Sequence, residues 1–269
     1  MRSHKYSFTI AMTGISRALV LRDRLLGRMT PIVDGIAHGA MVERHWIASG
    51  ANVLDAVWVR PAAAPVRAVV LVCHGIGETV EHWPAVQQLL AANGAASLVF
   101  DYSGYGRSTG RIEAAQCERD TIAAFAYLQG LAPGAEIAVL GFSLGSGIAA
   151  AVMRRVRASR LVLCAGFTSF RAAAHSLGLP LILEPLIPPL WHADESLRDC
   201  RLPILVVHGD RDRAFPVEMA TELAACCGAR TMIVPDLRHA EPYYKPSLAY
   251  WGPIVEWIEN GPRSTDPSP

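Results

Sequence analysis

The chain repeats one unit: a short, wholly apolar run followed by a segment of helical length. The runs are Ala68–Cys73, Ala96–Asp101, Glu136–Phe142, Arg160–Ala165, Pro203–His208 and Arg230–Val234. A run that is apolar throughout, not at alternate positions, fits a strand covered on both faces. Helices are expected near Pro84–Ala92, Ala114–Gln129, Ser143–Arg155, Pro216–Cys227 and Pro246–Glu259. Such alternation predicts an α/β domain with a doubly wound, mostly parallel sheet and right-handed crossovers. Upstream, Met41–Ile47 and Val53–Arg60 flank Ser49-Gly-Ala-Asn52, the signature of a hairpin. Hydrophobic residues make up 51% and charged residues 18% of 269, enough apolar material for one large domain and too much for disorder.

The expected organisation is an N-terminal segment (1–39) that packs on the core or frays, an α/β domain (40–260) and a flexible Pro/Ser-rich tail (261–269). Ile15–Leu26 reads as an amphipathic helix with Arg17, Arg22, Asp23 and Arg24 exposed, lying on the core or on a membrane surface. Lys5 and Arg2 before the apolar stretch Tyr6–Ser16 give only a faint imitation of a signal peptide, without a small-residue cleavage site. No run of about 18 uncharged apolar residues predicts a spanning helix. Net charge is +1, so no global field points to a nucleic-acid partner. None of the six cysteines forms a C-x-x-C pair or a Cys/His cluster, so no metal site is expected, and a reducing cytoplasm is the default.

Gly141-Phe-Ser143-Leu-Gly145 follows an apolar strand and precedes the small-residue helix start Ser146-Gly-Ile-Ala-Ala-Ala151. In that context G-x-S-x-G is a nucleophile elbow, with Ser143 at a helix N-terminus where the dipole favours developing negative charge. A serine hydroxyl needs a base to take its proton. His239, after the last strand, is the expected base, and Asp212, after Pro203–His208, the acid that orients it. Asp210 competes for that role but is better placed to shape its loop, Asp236 is a weaker rival, and His208 is expected to support the loop. The expected oxyanion donors are the amide of Leu144 and that of Ile76, in the flexible stretch His74-Gly-Ile-Gly77.

Almost forty residues separate Ala165 from Pro203, and the prolines of Leu177–Trp191 prevent one long helix. The segment is either a greasy crossover or a cap, and the cap (about 168–200) is favoured. Leu181 and Trp191 would then line an apolar substrate pocket, which Trp83 would border unless it is plain helix-start core.

The runs Val69-Val-Leu-Val-Cys-His74-Gly75, Phe100-Asp-Tyr-Ser-Gly-Tyr-Gly-Arg-Ser108, Gly141–Gly145 and His208-Gly-Asp-Arg-Asp212 resemble the serine α/β-hydrolase superfamily over about residues 40–260. The Tyr-Ser-Gly-Tyr-Gly stretch and moderate cap are similar to its BEM46-like branch and bacterial relatives. The resemblance implies hydrolysis of a small-molecule carboxylic ester, lipid or thioester without a metal or organic cofactor. Two departures stand out: Arg238 occupies the usual glycine position before the histidine, and His74-Gly-Ile-Gly lacks the extra glycines of HGGG lipases. The alternatives are acyl transfer to an alcohol or amine, and an idle hydrolase fold that binds an apolar ligand or a membrane. Localisation is expected to be cytoplasmic, with peripheral membrane contact open; oligomeric state is not legible.

Overall fold

The computed structural model describes residues 2–32 and 34–262, and side chains from Met12 onward except those of Ile36, Ala37 and Leu181. Its strands are β1 (Gly35–Ala37), β2 (Ala40–Ser49), β3 (Asn52–Pro61), β4 (Ala68–Cys73), β5 (Ala95–Phe100), β6 (Ile137–Phe142), β7 (Arg160–Cys164), β8 (Ile204–Gly209) and β9 (Arg230–Val234). Among the described residues they form one nine-stranded sheet in the order β1-β2-β3-β5-β4-β6-β7-β8-β9. From β5 to β9 every neighbouring pair is parallel, whereas β1, β2 and β3 add an antiparallel edge. The hairpin turns at Gly50, whose φ of 61° suits a residue without a Cβ. The three-residue β1 carried no signal of its own in the sequence.

The helices are α1 (Arg2–Leu25), α2 (Pro84–Ala92), α3 (Ala114–Leu131), α4 (Leu144–Val152), α5 (Phe170–Ser176), α6 (Ala193–Leu197), α7 (Val217–Cys227), α8 (Glu241–Tyr244) and α9 (Leu248–Asn260). Every residue of β4, β5, β6, β7 and β8 is buried, as strands covered on both faces must be. Alternation along each strand then feeds two cores. Val69, Leu71, Val139 and Leu163 pack with Phe125 of α3, Ile148 of α4 and Leu223 of α7. Val70, Val72, Leu140 and Val162 pack with Leu90 of α2 and with Trp251 and Ile254 of α9. Full burial of such a side chain stabilises by about 1.5–3 kcal/mol.

The segment between β7 and β8 contains α5, a 3-10 turn at Leu181–Leu186 and α6. It is broken where the sequence places Pro180, Pro185, Pro188 and Pro189, which lack the N–H a continuous helix needs.

Helix α1 is longer than the Ile15–Leu26 expected, and one expectation about it is corrected. Asp23 is not exposed: its carboxylate is buried, accepts the Tyr244 hydroxyl at 2.6 Å and pairs with Arg22 and Arg28. Met12, Ser16, Leu19, Val20 and Asp23 recur at helical spacing and form the inward face. Ser16 Oγ donates to Tyr105 Oη at 3.0 Å, and Leu19 lies on Gly77, so α1 rests on loops that leave the carboxyl edge of the sheet. Gly27, with φ of 65°, ends the helix, and the Arg28 N–H returns to the Asp23 carbonyl.

Candidate active site

Ser143 joins β6 to α4 with φ 52° and ψ −118°, a conformation that costs roughly 1–3 kcal/mol in a non-glycine residue. The surroundings over-determine it. Its N–H donates to the Cys164 carbonyl at 2.9 Å, and its own carbonyl accepts Ser146 Oγ at 2.7 Å. A Cβ on Gly141 would stand 2.5 Å from the Gly145 carbonyl oxygen, and one on Gly145 would overlap the Cys73 carbonyl. The two glycines therefore let β4, β6 and α4 close on the turn.

The structure brings Ser143, His239 and Asp212 together. His239 Nε2 lies 2.8 Å from Ser143 Oγ, and Nδ1 lies 2.6 Å from Asp212 Oδ2. A carboxylate only accepts, so Nδ1 carries the proton and Nε2 is left to accept from the serine hydroxyl. The Phe142 and Phe215 rings, 5.8 and 5.1 Å away centre to centre, confine the imidazole. Asp212 Oδ1 also accepts the N–H groups of Ala214 and Phe215 at 2.8 and 2.9 Å. Burial alone would raise its carboxyl, but the His239 hydrogen bond and charge, with the Phe215 N–H, hold it below the usual carboxylate range.

His208 Nε2 donates to the Phe215 carbonyl at 2.9 Å and so braces the Asp212 loop. Asp210 is exposed, and Asp236 pairs with Arg211, so neither rival acid meets the imidazole. Arg238 lies outside the positive-φ region among the described residues, and its N–H donates to the Glu241 carboxylate at 2.9 Å. The loop before His239 thus takes a shape that needs no glycine there.

Leu144 opens α4, where an N–H has no intrahelical carbonyl to meet. Ile76 is half-buried on the loop after β4, and that loop presses on the serine: a Cβ on Gly75 would come 3.3 Å from Ser143 Cβ and 2.6 Å from Glu78 Oε1. Glu78 is the feature that the sequence reading assigned no such role. Its buried Oε2 accepts the Gly75 N–H and Trp83 Nε1, each at 3.0 Å, and so ties the loop to the core below. Only its place three residues past Gly75 hinted at this. Trp83 itself is corrected from pocket border to core: it is fully buried, stacked on Tyr243 and edge-on to Phe142 and Trp251.

Trp191 is corrected likewise. Buried, it sits edge-on to Phe170, donates Nε1 to Glu118 at 3.3 Å and closes on Gly147 of α4, which pins the segment to the helix behind the serine. Leu181 begins the 3-10 turn, but its side chain lies outside the described residues. A cleft of about 580 Å³ lined by Trp58, Arg67, Glu136 and Arg160 lies at the amino ends of β4 and β7, away from Ser143. Among the described residues no cluster of three His, Cys, Asp or Glu side chains is arranged to hold a metal ion.

Burial pushes the Glu78 carboxyl from 4.5 up to about 8, and its two N–H donors offset this only in part. Asp23 of α1, Tyr105 and Tyr243 also face it. Between those values the folded chain keeps a proton that the unfolded chain releases, so stability falls as pH rises through the window. Glu78→Gln cannot ionise. Its melting temperature relative to wild type should therefore climb from about pH 5 to about pH 9, and a pH-independent difference would refute this account of the carboxyl.

The family described as serine aminopeptidase, S33 matches residues 64–193. An uncharacterized protein of Mycobacterium tuberculosis is 31% identical over 179 residues, covering 64% of this chain and 63% of that protein. The lysophosphatidylserine lipase ABHD12 of Macaca fascicularis is 25% identical over 189 residues, 63% of this chain and 48% of the lipase. The chain thus spans less than two thirds of the length of these relatives. Among solved structures, the Pyrococcus furiosus esterase Pf2001 superposes with a TM-score of 0.68 at 19% identity, covering 86% of this chain and 97% of the esterase. Est1E of Butyrivibrio proteoclasticus, solved with ferulic acid, gives 0.63 at 21% identity, covering 80% and 96%. At those identities the structural likeness is one of fold. The family match and the solved structures point the same way: the chain is similar to serine α/β-hydrolases and shares their fold over most of its length.

Proposed function

We propose that the protein hydrolyses a carboxylic ester, with an apolar acyl group, through an acyl-enzyme on Ser143. The observation that carries this reading is the imidazole of His239, set between Ser143 Oγ at 2.8 Å and Asp212 Oδ2 at 2.6 Å. His239 Nε2 takes the hydroxyl proton as Oγ attacks the ester carbonyl, and Asp212 stabilises the imidazolium. The amides of Leu144 and Ile76 receive the developing oxyanion; one such donor is typically worth about 3–4 kcal/mol in the transition state. The imidazolium returns its proton to the leaving oxygen. His239 then activates a water, which releases the acid and frees the serine.

Relatives named as esterases and as a lysophosphatidylserine lipase favour oxygen esters and lipid-like substrates. The segment at 168–200 serves in this reading as a cap, with Trp191 anchored to α4 and the turn at Leu181–Leu186 standing beyond that anchor. The test is hydrolysis of p-nitrophenyl esters from acetate to palmitate, together with labelling by a fluorophosphonate. We expect turnover with a chain-length optimum, and a single adduct on the peptide carrying Ser143. Turnover with labelling elsewhere would sink the nucleophile; no turnover and no adduct would sink the activity.

A further inference from the structure

The outer face of α1 has a pattern that its packing does not use. With about 3.6 residues per turn, Ile15 lies on the flank of α1 beside Leu19, while Leu21 and Leu25 stand opposite the inward face, and Leu26 follows the last helical residue. Ile15, Leu21, Leu25 and Leu26 are 48, 58, 78 and 57% exposed. Arg17 and Arg24 form an adjoining stripe; Arg22 and Arg28 are exposed as well but pair with Asp23. The helix's acid in this stretch, Asp23, points inward and is buried. Among the described side chains of residues 12–28, the outer surface therefore holds leucines and arginines and no carboxylate.

A second apolar surface stands on the same edge of the sheet. In the segment that leaves the carboxyl end of β7, Leu177, Ile182 and Leu186 are 66, 85 and 61% exposed. Helix α1 reaches that edge from the other side, with Leu19 on the loop after β4 and Asp23 on Tyr244 after β9. Ser143, at the end of β6, lies on this edge too.

We propose that this edge of the molecule docks on an anionic lipid bilayer through the outer face of α1. Leu21 and Leu25 enter the boundary between headgroups and acyl chains, and Arg17 and Arg24 keep their guanidinium groups at the lipid phosphates. A second copy is a poorer occupant, because an antiparallel two-fold contact would place the arginine stripes of both copies on the same side of the interface. The mode is lying on the surface, since among the described residues no helix is long and apolar enough to cross a membrane.

Co-sedimentation of the full chain with vesicles of phosphatidylcholine, alone or mixed with phosphatidylglycerol, tests this without reference to catalysis. Wild type should pellet with the anionic vesicles and far less with the neutral ones. Leu21→Asp/Leu25→Asp should cut the partition coefficient at least about tenfold. Arg17→Gln/Arg24→Gln should lose about fivefold per arginine and flatten the salt dependence. Unchanged melting temperatures in both variants establish that they fold. Wild type that stays in the supernatant with anionic vesicles, or variants that bind as wild type does, would overturn the proposal. A wild-type dimer in sedimentation velocity that Leu21→Asp/Leu25→Asp converts to monomer would also overturn it, by giving the face to a second copy.

Discussion

Ser143→Ala should lower kcat/KM on a p-nitrophenyl ester by roughly 10⁴- to 10⁶-fold while the protein stays folded. The hydroxyl is the one group at 2.8 Å from His239 Nε2 that can be acylated, and its loss leaves the imidazole facing solvent or substrate. What remains is binding and whatever the amides of Leu144 and Ile76 contribute, which in comparable hydrolases sustains a rate well above that in water. Stability should barely move, because the methyl group keeps the same positive φ. Ser143→Gly goes further, removing the Cβ that makes φ 52° costly, and should raise stability by about 1 kcal/mol while being just as inactive. Paired rate and melting measurements on the two variants give the check. An alanine variant that kept more than about a hundredth of the wild-type rate would remove Ser143 from the mechanism.

Gly145→Ala should be the most damaging single methyl group in the molecule. Its Cβ would enter the Cys73 carbonyl and stand 2.8 Å from the His74 carbonyl oxygen. These are backbone atoms at the end of a central strand, paired through Cys73 with Gly141, so they cannot swing aside as a side chain would. We expect a loss above about 4 kcal/mol, read as a collapse in denaturant midpoint or soluble yield, with little activity in what folds. Gly147→Ala is the control. There the added Cβ meets the Phe167 ring at 2.7 Å and Trp191 Cβ at 3.0 Å, side-chain atoms that can yield, so the cost should be smaller. Near wild-type stability in Gly145→Ala would mean that α4 does not close on β4 as described.

Much of this was readable in advance because the relevant signals are local. A buried strand, a turn and a helix start lie within a few residues of Ser143, and the parallel sheet fixes the order in which an acid and a histidine can follow. Asp212 over Asp210 was a finer choice. What separates them is the pair of N–H groups from Ala214 and Phe215 that hold Asp212 inward, a feature of the loop's shape. Other features depend on partners far along the chain. Asp23 looked like one more surface charge because Tyr244, 221 residues away, is what makes its burial tolerable. Trp83 and Trp191 were apolar residues near a site, and sequence has no means of telling pocket wall from core. In the structure both are buried, their indole N–H groups bound to Glu78 and Glu118. Arg238 shows the reverse case, where a departure from a family's usual glycine has no structural cost because the backbone there never takes a positive φ.

The clasp between Asp23 and Tyr244 also sets an order of events during synthesis. Helix α1 is made before the sheet described here, yet its buried carboxylate has no Tyr244 hydroxyl to meet until α8 has been made. Closing so long a loop is slow relative to pairing β4, β5 and β6, which lie close in sequence. The sheet can therefore form while α1 waits, its leucines and arginines uncommitted. Docking of α1 is in this way deferred until after the sheet has formed, a consequence of a contact that spans 221 residues.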